Sequence, residues 1–456
     1  MSEGHALTAS IGALRARAVI AWWLAPPAVG AGTLALGVVS LGDAPLSTEE
    51  AVAVTHARQP VGSLLHTVVH DDPAQAGFLL VLKAAALVGT DERTMRIASL
   101  VALSLAAALT VLLGTLLAGR VAGLVGGLAL GAHAGTLDAA REVAPYALGI
   151  LGVVAATLAL ALAVERGGTW RWGLYAVACA TLPLTHPLAA SALLAHGAAL
   201  AVIGERARRG LLVVTPGAIL AAAAIGWMAV DRHAAPDGTQ GLHLPELGRG
   251  VLAAFGSSPV LAVAAAAGLA GLWAGRIPGG SAWKAALISG LVAAPVAVAV
   301  VTAAALPVYA DRALVLCAPG LALAAGSATR LLPNRKALGA GVAALLGASA
   351  ALIGSALSME PKEDWRAVAA AVRNVRKPRE TVVVLPERSR GAFAYYAPNV
   401  RTQLRARGDG AWVVVAADER IAATVAAREA VPTPTYALLR QSRYGDGLRL
   451  QHWVRP

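Results

Sequence analysis

Acidic and imidazole side chains gather early in the chain, in Asp43-Ala-Pro-Leu-Ser-Thr-Glu49-Glu50 and then His70-Asp71-Asp72-Pro73. A carboxylate at a membrane surface can act as general base toward an acceptor hydroxyl, or bind a divalent cation. The run Ser47-Thr48-Glu49-Glu50 also reads as a capped helix N-terminus, where acids are favoured in the first turn. The two readings are compatible. His70, Asp71 and Asp72 are metal-ligand types in a tight cluster, and equally a polar turn ahead of an apolar helix at 78–88. That helix is about a dozen residues long and contains Lys83, so it is expected to lie in the interface and not to span.

Other polar groups recur at the edges of apolar runs. Arg141-Glu142 stands near Pro145-Tyr146, Tyr309 near Asp311-Arg312, and Arg96 near Ser99. The planar fork of arginine suits phosphate; snorkelling to headgroups is the competing reading. His186, in Thr185-His186-Pro187, falls between two apolar runs and is either a site residue or a hydrogen-bonded structural one. No cofactor is named by these residues. A divalent cation stays open, with Glu50, Asp72 and His186 as its candidate ligands.

The elements that must position these groups are membrane spans. The chain has 456 residues, 57% hydrophobic and only 14% charged, with mean hydropathy +0.64. A soluble chain would carry about 25% charged residues. Eleven apolar segments are predicted, near 18–41, 97–118, 121–136, 146–164, 173–185, 187–203, 211–230, 251–275, 285–305, 312–329 and 337–357. Small residues dominate them and permit close helix approach. With the N-terminus cytoplasmic, Arg and Lys fall mostly in the inner loops and the acids in the outer ones. That pattern supports an odd number of spans and an outer C-terminal tail. The net charge of +12 therefore requires no nucleic acid, because basic anchors facing anionic lipid account for much of it. The first apolar run, with Trp22, Trp23, Pro26 and Pro27 early in it, is read as an anchor and not a cleaved leader. Cys179 and Cys317 fall in predicted spans and read as packing residues.

A composition change divides the chain into a membrane domain, 1–357, and a polar tail, 358–456. The first outer loop, 43–96, carries the chemistry. The tail shows a helix pattern at 364–376, strand patterns at 381–385, 412–415 and 448–454, and a helix near 418–429, which predicts a small α/β domain. It holds 17 Lys plus Arg against 10 Asp plus Glu. Contact with an anionic lipid or polymer is one expectation, and bracing of the first loop is the other.

In order, the acidic pair, the His/Asp-Pro segment, Glu92-Arg93-Thr-Met-Arg96-Ile-Ala-Ser99 and Arg141-Glu-Val-Ala-Pro145-Tyr146 are followed by Leu184-Thr185-His186. Pro307-Val-Tyr309-Ala-Asp-Arg312 and Glu363-Asp364-Trp365-Arg366 complete the series. This series resembles the GT-C glycosyltransferases. Within them it is similar to the bacterial mannosyltransferase-like membrane proteins related to protein O-mannosyltransferases and lipid A aminoarabinose transferases. The resemblance runs over nearly the whole chain. It implies a polytopic α-helical membrane protein of GT-C type, with about eleven transmembrane helices and a small extracytoplasmic C-terminal α/β domain. It places the protein in a bacterial plasma membrane.

The implied reaction moves a sugar, mannose by default, from a polyprenyl-phosphate carrier to an outer-face glycan, glycolipid or protein, with inversion. The resemblance assigns the catalytic positions to Glu49 and Glu50, where relatives read Asp-Glu. It assigns substrate contacts to His70, Asp71, Asp72, Arg96, Arg141, Tyr146, His186, Tyr309 and Arg312. The chain departs from the pattern at Ala144-Pro145-Tyr146, where relatives often read Arg-Pro-Tyr, and at Pro73-Ala74, where they carry a double proline. A non-catalytic carrier-binding relative and a transporter are the other classes weighed. The transporter is disfavoured because the acids lie in outer loops and not at mid-membrane.

Overall fold

The structure is a computed structural model that describes residues 22–39, 41–71, 75–204, 210, 258–305, 311–357, 363–407, 409–416, 427–428, 430–431, 435–445 and 447–455. A helical array carries a small sheet domain at its C-terminal end. The helices before the first long span are α1 (Ala25–Val38), α2 (Thr48–Arg58), α3 (Val61–His66) and α4 (Ala76–Ala85). Then come α5 (Glu92–Ala118), α6 (Arg120–Gly131), α7 (Ala134–Ala140), α8 (Tyr146–Arg166), α9 (Thr169–Thr185) and α10 (Ala192–Ile203). After them stand α11 (Pro259–Trp273), α12 (Ala282–Ala305), α13 (Ala318–Ala328) and α14 (Arg335–Leu357).

Five described helices are long and apolar enough to cross a membrane: Glu92–Ala118, Tyr146–Arg166, Ala282–Thr302, Leu314–Leu331 and Arg335–Gly354. Shorter apolar helices at Ala25–Val38, Arg120–Gly131, Pro187–Ile203 and Pro259–Trp273 fall on further predicted spans. The span expected at 211–230 and the start of that at 251–275 lie outside the described residues.

Small residues set the helix spacing. A Cβ on Gly123 of α6 would collide with the carbonyl oxygen of Val111 on α5, and one on Gly268 of α11 with that of Ala324 on α13. Close backbone approach of this kind replaces the hydrophobic drive that lipid removes. One polar cluster ties α8, α9 and α10. Thr157 donates its hydroxyl to the Val153 carbonyl at 2.6 Å, so it accepts from His196 Nε2 at 3.0 Å. His196 Nδ1 then accepts from the Tyr175 hydroxyl at 3.1 Å. Cys179 and Cys317 are free thiols buried in this array, as read from the sequence. Lys284 of α12 pairs with Glu165 of α8 at 2.9 Å, at the helix ends opposite those that carry Arg96 and Tyr146.

The helix expected at 78–88 forms as α4, ten residues long and so about 15 Å. Its Phe78, Leu79 and Leu82 are buried within the protein. Lys83 does not reach for headgroups; it donates to the carbonyls of Ala57 at 3.0 Å and Gln59 at 2.6 Å, closing the C-terminal end of α2.

The tail holds α15 (Trp365–Val375), β1 (Glu380–Leu385), α16 (Arg390–Tyr396), β2 (Thr402–Gln403), β3 (Gly410–Ala416), β4 (Ala437–Tyr444) and β5 (Leu448–Val454). The strand order is β2-β1-β3-β5-β4. β1 pairs in parallel with β2 and β3, while β5 pairs antiparallel with β3 and β4. The valine runs of β1 and β3 are buried, as expected of central strands covered on both faces. The helix expected near 418–429 lies mostly outside the described residues. One core cluster joins the two parts: Leu46, Val54, Leu64, Phe78, Met95 and Val143 share it with Trp365, Val372, Val384 and Phe393.

Candidate active site at the first outer loop

The site is organised by one carboxylate. Ser47 and Glu50 form a reciprocal capping box at the start of α2. Glu50 is 4% exposed, and all its hydrogen-bonding capacity is in use. Oε1 accepts from Arg96 Nε at 2.9 Å and from the Val143 amide at 2.9 Å. Oε2 accepts from the Ser47 amide at 2.8 Å and from Arg96 Nη2 at 3.0 Å. Arg96 in turn donates Nη1 to the carbonyls of Leu41 at 3.1 Å and Ala44 at 2.7 Å, and Nη2 to that of Pro45 at 3.0 Å. All five of its N–H groups are thereby used. This is a buried bidentate pair with every remaining group satisfied, the arrangement in which a buried ion pair is tolerated.

The geometry revises two sequence-based expectations. Glu50 is not open to act as base or metal ligand, and Arg96 is not open to phosphate. Together they hold loop 41–47, the start of α2, the start of α5 and loop 141–145 in one junction. Ser99 adds a bond to the Ala144 carbonyl at 3.3 Å. Glu49, the preceding residue, is exposed and makes no hydrogen bond or ion pair among the described residues.

Arg141 stands on the same junction and is half-buried. Its Nη2 donates to the Val39 carbonyl at 3.1 Å, while its buried Nε has no hydrogen-bond partner. Burial lowers its pKa, Asp138 and Asp43 oppose that shift, and Arg96 adds to it. The group stays cationic, since arginine starts so high. A half-buried guanidinium at a loop edge is suited to a phosphate oxygen.

Tyr146 and His186 lie together, with ring centroids 5.3 Å apart. His186 Nδ1 accepts from the Leu188 amide at 3.1 Å, so a neutral His186 carries its proton on Nε2. His70 stacks on His66 at 4.3 Å, and its Nδ1 meets the His66 carbonyl at 3.1 Å, within its own helical turn and not at the Glu50 junction. Asp72, Tyr309 and the side chains of Asp71 and Arg312 lie outside the described residues. Among the described residues, no three His, Cys, Asp or Glu side chains are grouped as a metal site would need.

The tail packs against this loop. Glu363 Oε2 accepts from the Thr48 amide at 2.7 Å, from its hydroxyl at 2.8 Å and from Trp365 Nε1 at 2.9 Å. Asp364 caps α15 by accepting from the Ala367 amide at 2.9 Å. Trp365 is fully buried. Arg366 donates to the carbonyls of Gly42 at 3.2 Å and Asp43 at 3.3 Å and pairs with Glu92. The Tyr396 hydroxyl accepts from the Leu46 amide at 2.6 Å and donates to Glu92; burial and that bond raise its pKa. Tyr395 donates to the Thr90 carbonyl at 3.0 Å, beneath the guanidinium of Arg58. Sequence reasoning singled out Glu363-Asp364-Trp365-Arg366 only by resemblance. It missed Thr48 and Tyr396 as partners, because nothing local in the chain signals a bond across 350 positions.

Comparison with solved structures shows that this helical array with its C-terminal sheet has the fold of the GT-C glycosyltransferases. It is similar to ArnT from Cupriavidus metallidurans in the apo state, at 14% identity and a TM-score of 0.57, covering 95% of this chain and 98% of that one. It is similar to the same protein bound to undecaprenyl phosphate, at 12% identity and a TM-score of 0.54, covering 93% and 97%. The mycobacterial arabinofuranosyltransferase AftD matches at 13% identity and a TM-score of 0.50, over 95% of this chain and 41% of AftD. No family model matches the sequence, and no curated protein matches it either.

Proposed function

We propose that this protein is a membrane glycosyltransferase that takes a sugar from a polyprenyl-phosphate carrier and transfers it to an acceptor hydroxyl on the outer face of a bacterial plasma membrane. The observation that carries the reading is the Glu50–Arg96–Val143 junction. It leaves Glu49 exposed and the Arg141 guanidinium half-buried on one anchored loop assembly. The GT-C fold and a like-folded protein bound to undecaprenyl phosphate support the choice of donor.

In this mechanism Glu49 takes the proton of the acceptor hydroxyl. The oxygen attacks the anomeric carbon in line, the bond from that carbon to the phosphate oxygen breaks, and its electron pair leaves with polyprenyl phosphate. Inversion follows. Arg141, with Arg312 as a second cation, stabilises the developing phosphate charge. His186 and Tyr146 are assigned to the sugar subsite, since their rings lie together. Mannose is the first donor to test, with pentose donors next. The domain division at 357/358, the eleven spans, the cytoplasmic N-terminus and the outer tail belong to the same reading.

The test is transfer by the purified full chain from a panel of polyprenyl-phosphate sugars. Glu49→Gln is expected to abolish turnover with an unchanged melting curve, and Arg141→Gln to weaken donor binding. Full activity in Glu49→Gln rejects the base. Tight donor binding with no turnover by the wild type would instead make this chain a carrier-binding relative, a reading that the glutamate at the usual aspartate position favours.

A further inference from the structure

The tail concentrates positive charge at one end of its sheet. Strand pairing sets Glu380 beside Gly410, and Gly410 beside Val454. The residues flanking those positions, Arg379, Arg407 and Arg455, therefore share one sheet end. Adjacent strands lie about 4.8 Å apart, so these cations are spread over roughly 10 Å. The C-terminal turn of α15 adds Arg373 and Lys377 to the same end, since the Lys377 amide donates to Glu380 Oε2 at 2.8 Å. All five side chains are exposed and make no ion pair among the described residues.

The acids there do not cancel them. Glu380 is 7% exposed and engaged by the Lys377 amide, Trp412 Nε1 at 2.8 Å and His452 Nε2 at 3.0 Å. Asp409 is the other described acid at this end. Arg455 is held over the Tyr436 ring at 5.3 Å, and its amide donates to the Asp409 carbonyl at 3.1 Å.

Position selects the partner. α15 docks on the first outer loop through its N-terminal end, at Glu363 and Arg366. The basic sheet end lies at the other end of α15, about 16 Å along an eleven-residue helix. Headgroups belong at the docked end, beside the spans. The cations face what lies beyond it.

We propose that this sheet end binds an anionic polysaccharide of the cell envelope, recognised through rows of carboxylates or phosphates, and holds it near the transferase site. The proposal rests on the outer placement of the tail in the reading above, but its measurement does not require sugar transfer.

The experiment uses the full chain in detergent and follows the fluorescence anisotropy of labelled polygalacturonate, with labelled neutral dextran as control and short-chain phosphatidylglycerol as competitor. Polygalacturonate is expected to bind in a salt-sensitive way, and dextran is not. The triple reversal Arg379→Glu, Arg407→Glu, Arg455→Glu is expected to weaken binding by roughly tenfold or more. It should leave transfer to a small soluble acceptor unchanged. If the reversal set fails to fold, the triple glutamine set decides by the same reading. Undiminished binding in the decisive variant overturns the proposal. So does phosphatidylglycerol displacing the polymer at low concentration, which would make the surface a lipid contact. Loss of polymer binding alongside normal transfer leaves the transferase reading intact, and the reverse result separates them equally well.

Discussion

Glu49 and Glu50 are adjacent carboxylates with opposite environments. Glu50 is buried against Arg96 and fully bonded, and Glu49 faces solvent. Their variants should diverge accordingly. Glu50→Gln leaves Arg96 buried opposite a neutral amide, a change of the type that costs about 3–5 kcal/mol. It should lower the melting temperature of the purified protein sharply, with activity falling alongside. Glu49→Gln should leave the melt where it was. Equal melts for both variants would mean that the buried pair does not hold the junction. The sequence supported both a cap and a catalytic pair here without dividing the roles. The division depends on Arg96 and Val143, which stand 46 and 93 positions away.

Among the elements, α15 and α16 do the bracing. Their contacts with the loop before α2 and the start of α5 are part-buried hydrogen bonds and the more exposed Arg366–Glu92 pair, added to a shared apolar core. Tyr396→Phe would strip the Leu46 amide and Glu92 of a partner, at about 1–3 kcal/mol. Amide hydrogen exchange should then quicken at Leu46 while the α5 core stays protected; unchanged exchange at Leu46 would show that the hydroxyl is dispensable. Most of these elements were legible. α15, β1, β3 and β5 sit where their patterns put them. β4 was not, because Ala437–Tyr444 is an exposed edge strand with polar residues on both faces and carries no clean alternation. β2 is only two residues long and has no pattern to read.

At the scale of the whole molecule, the two parts should respond differently to acid. Glu380 anchors the tail sheet. Burial raises its pKa, but the bonds from the Lys377 amide, Trp412 and His452 outweigh that and leave it lowered. A carboxylate depressed in the folded state adds stability above its unfolded pKa of about 4.3, and that stability is lost as pH falls through the folded value. Acid titration of the full chain should therefore loosen the tail first, and Glu380→Gln should flatten that transition. A transition unmoved by the substitution would assign the acid sensitivity to another group. The contacts of Arg366 with Gly42, Asp43 and Glu92 carry a topological consequence as well. Two segments that touch must emerge on the same face of the bilayer. Whatever the number of crossings between Glu92 and Glu363, its parity is therefore even, and an insertion that adds or deletes a single crossing in that interval would strand the tail across the membrane from the loop it covers.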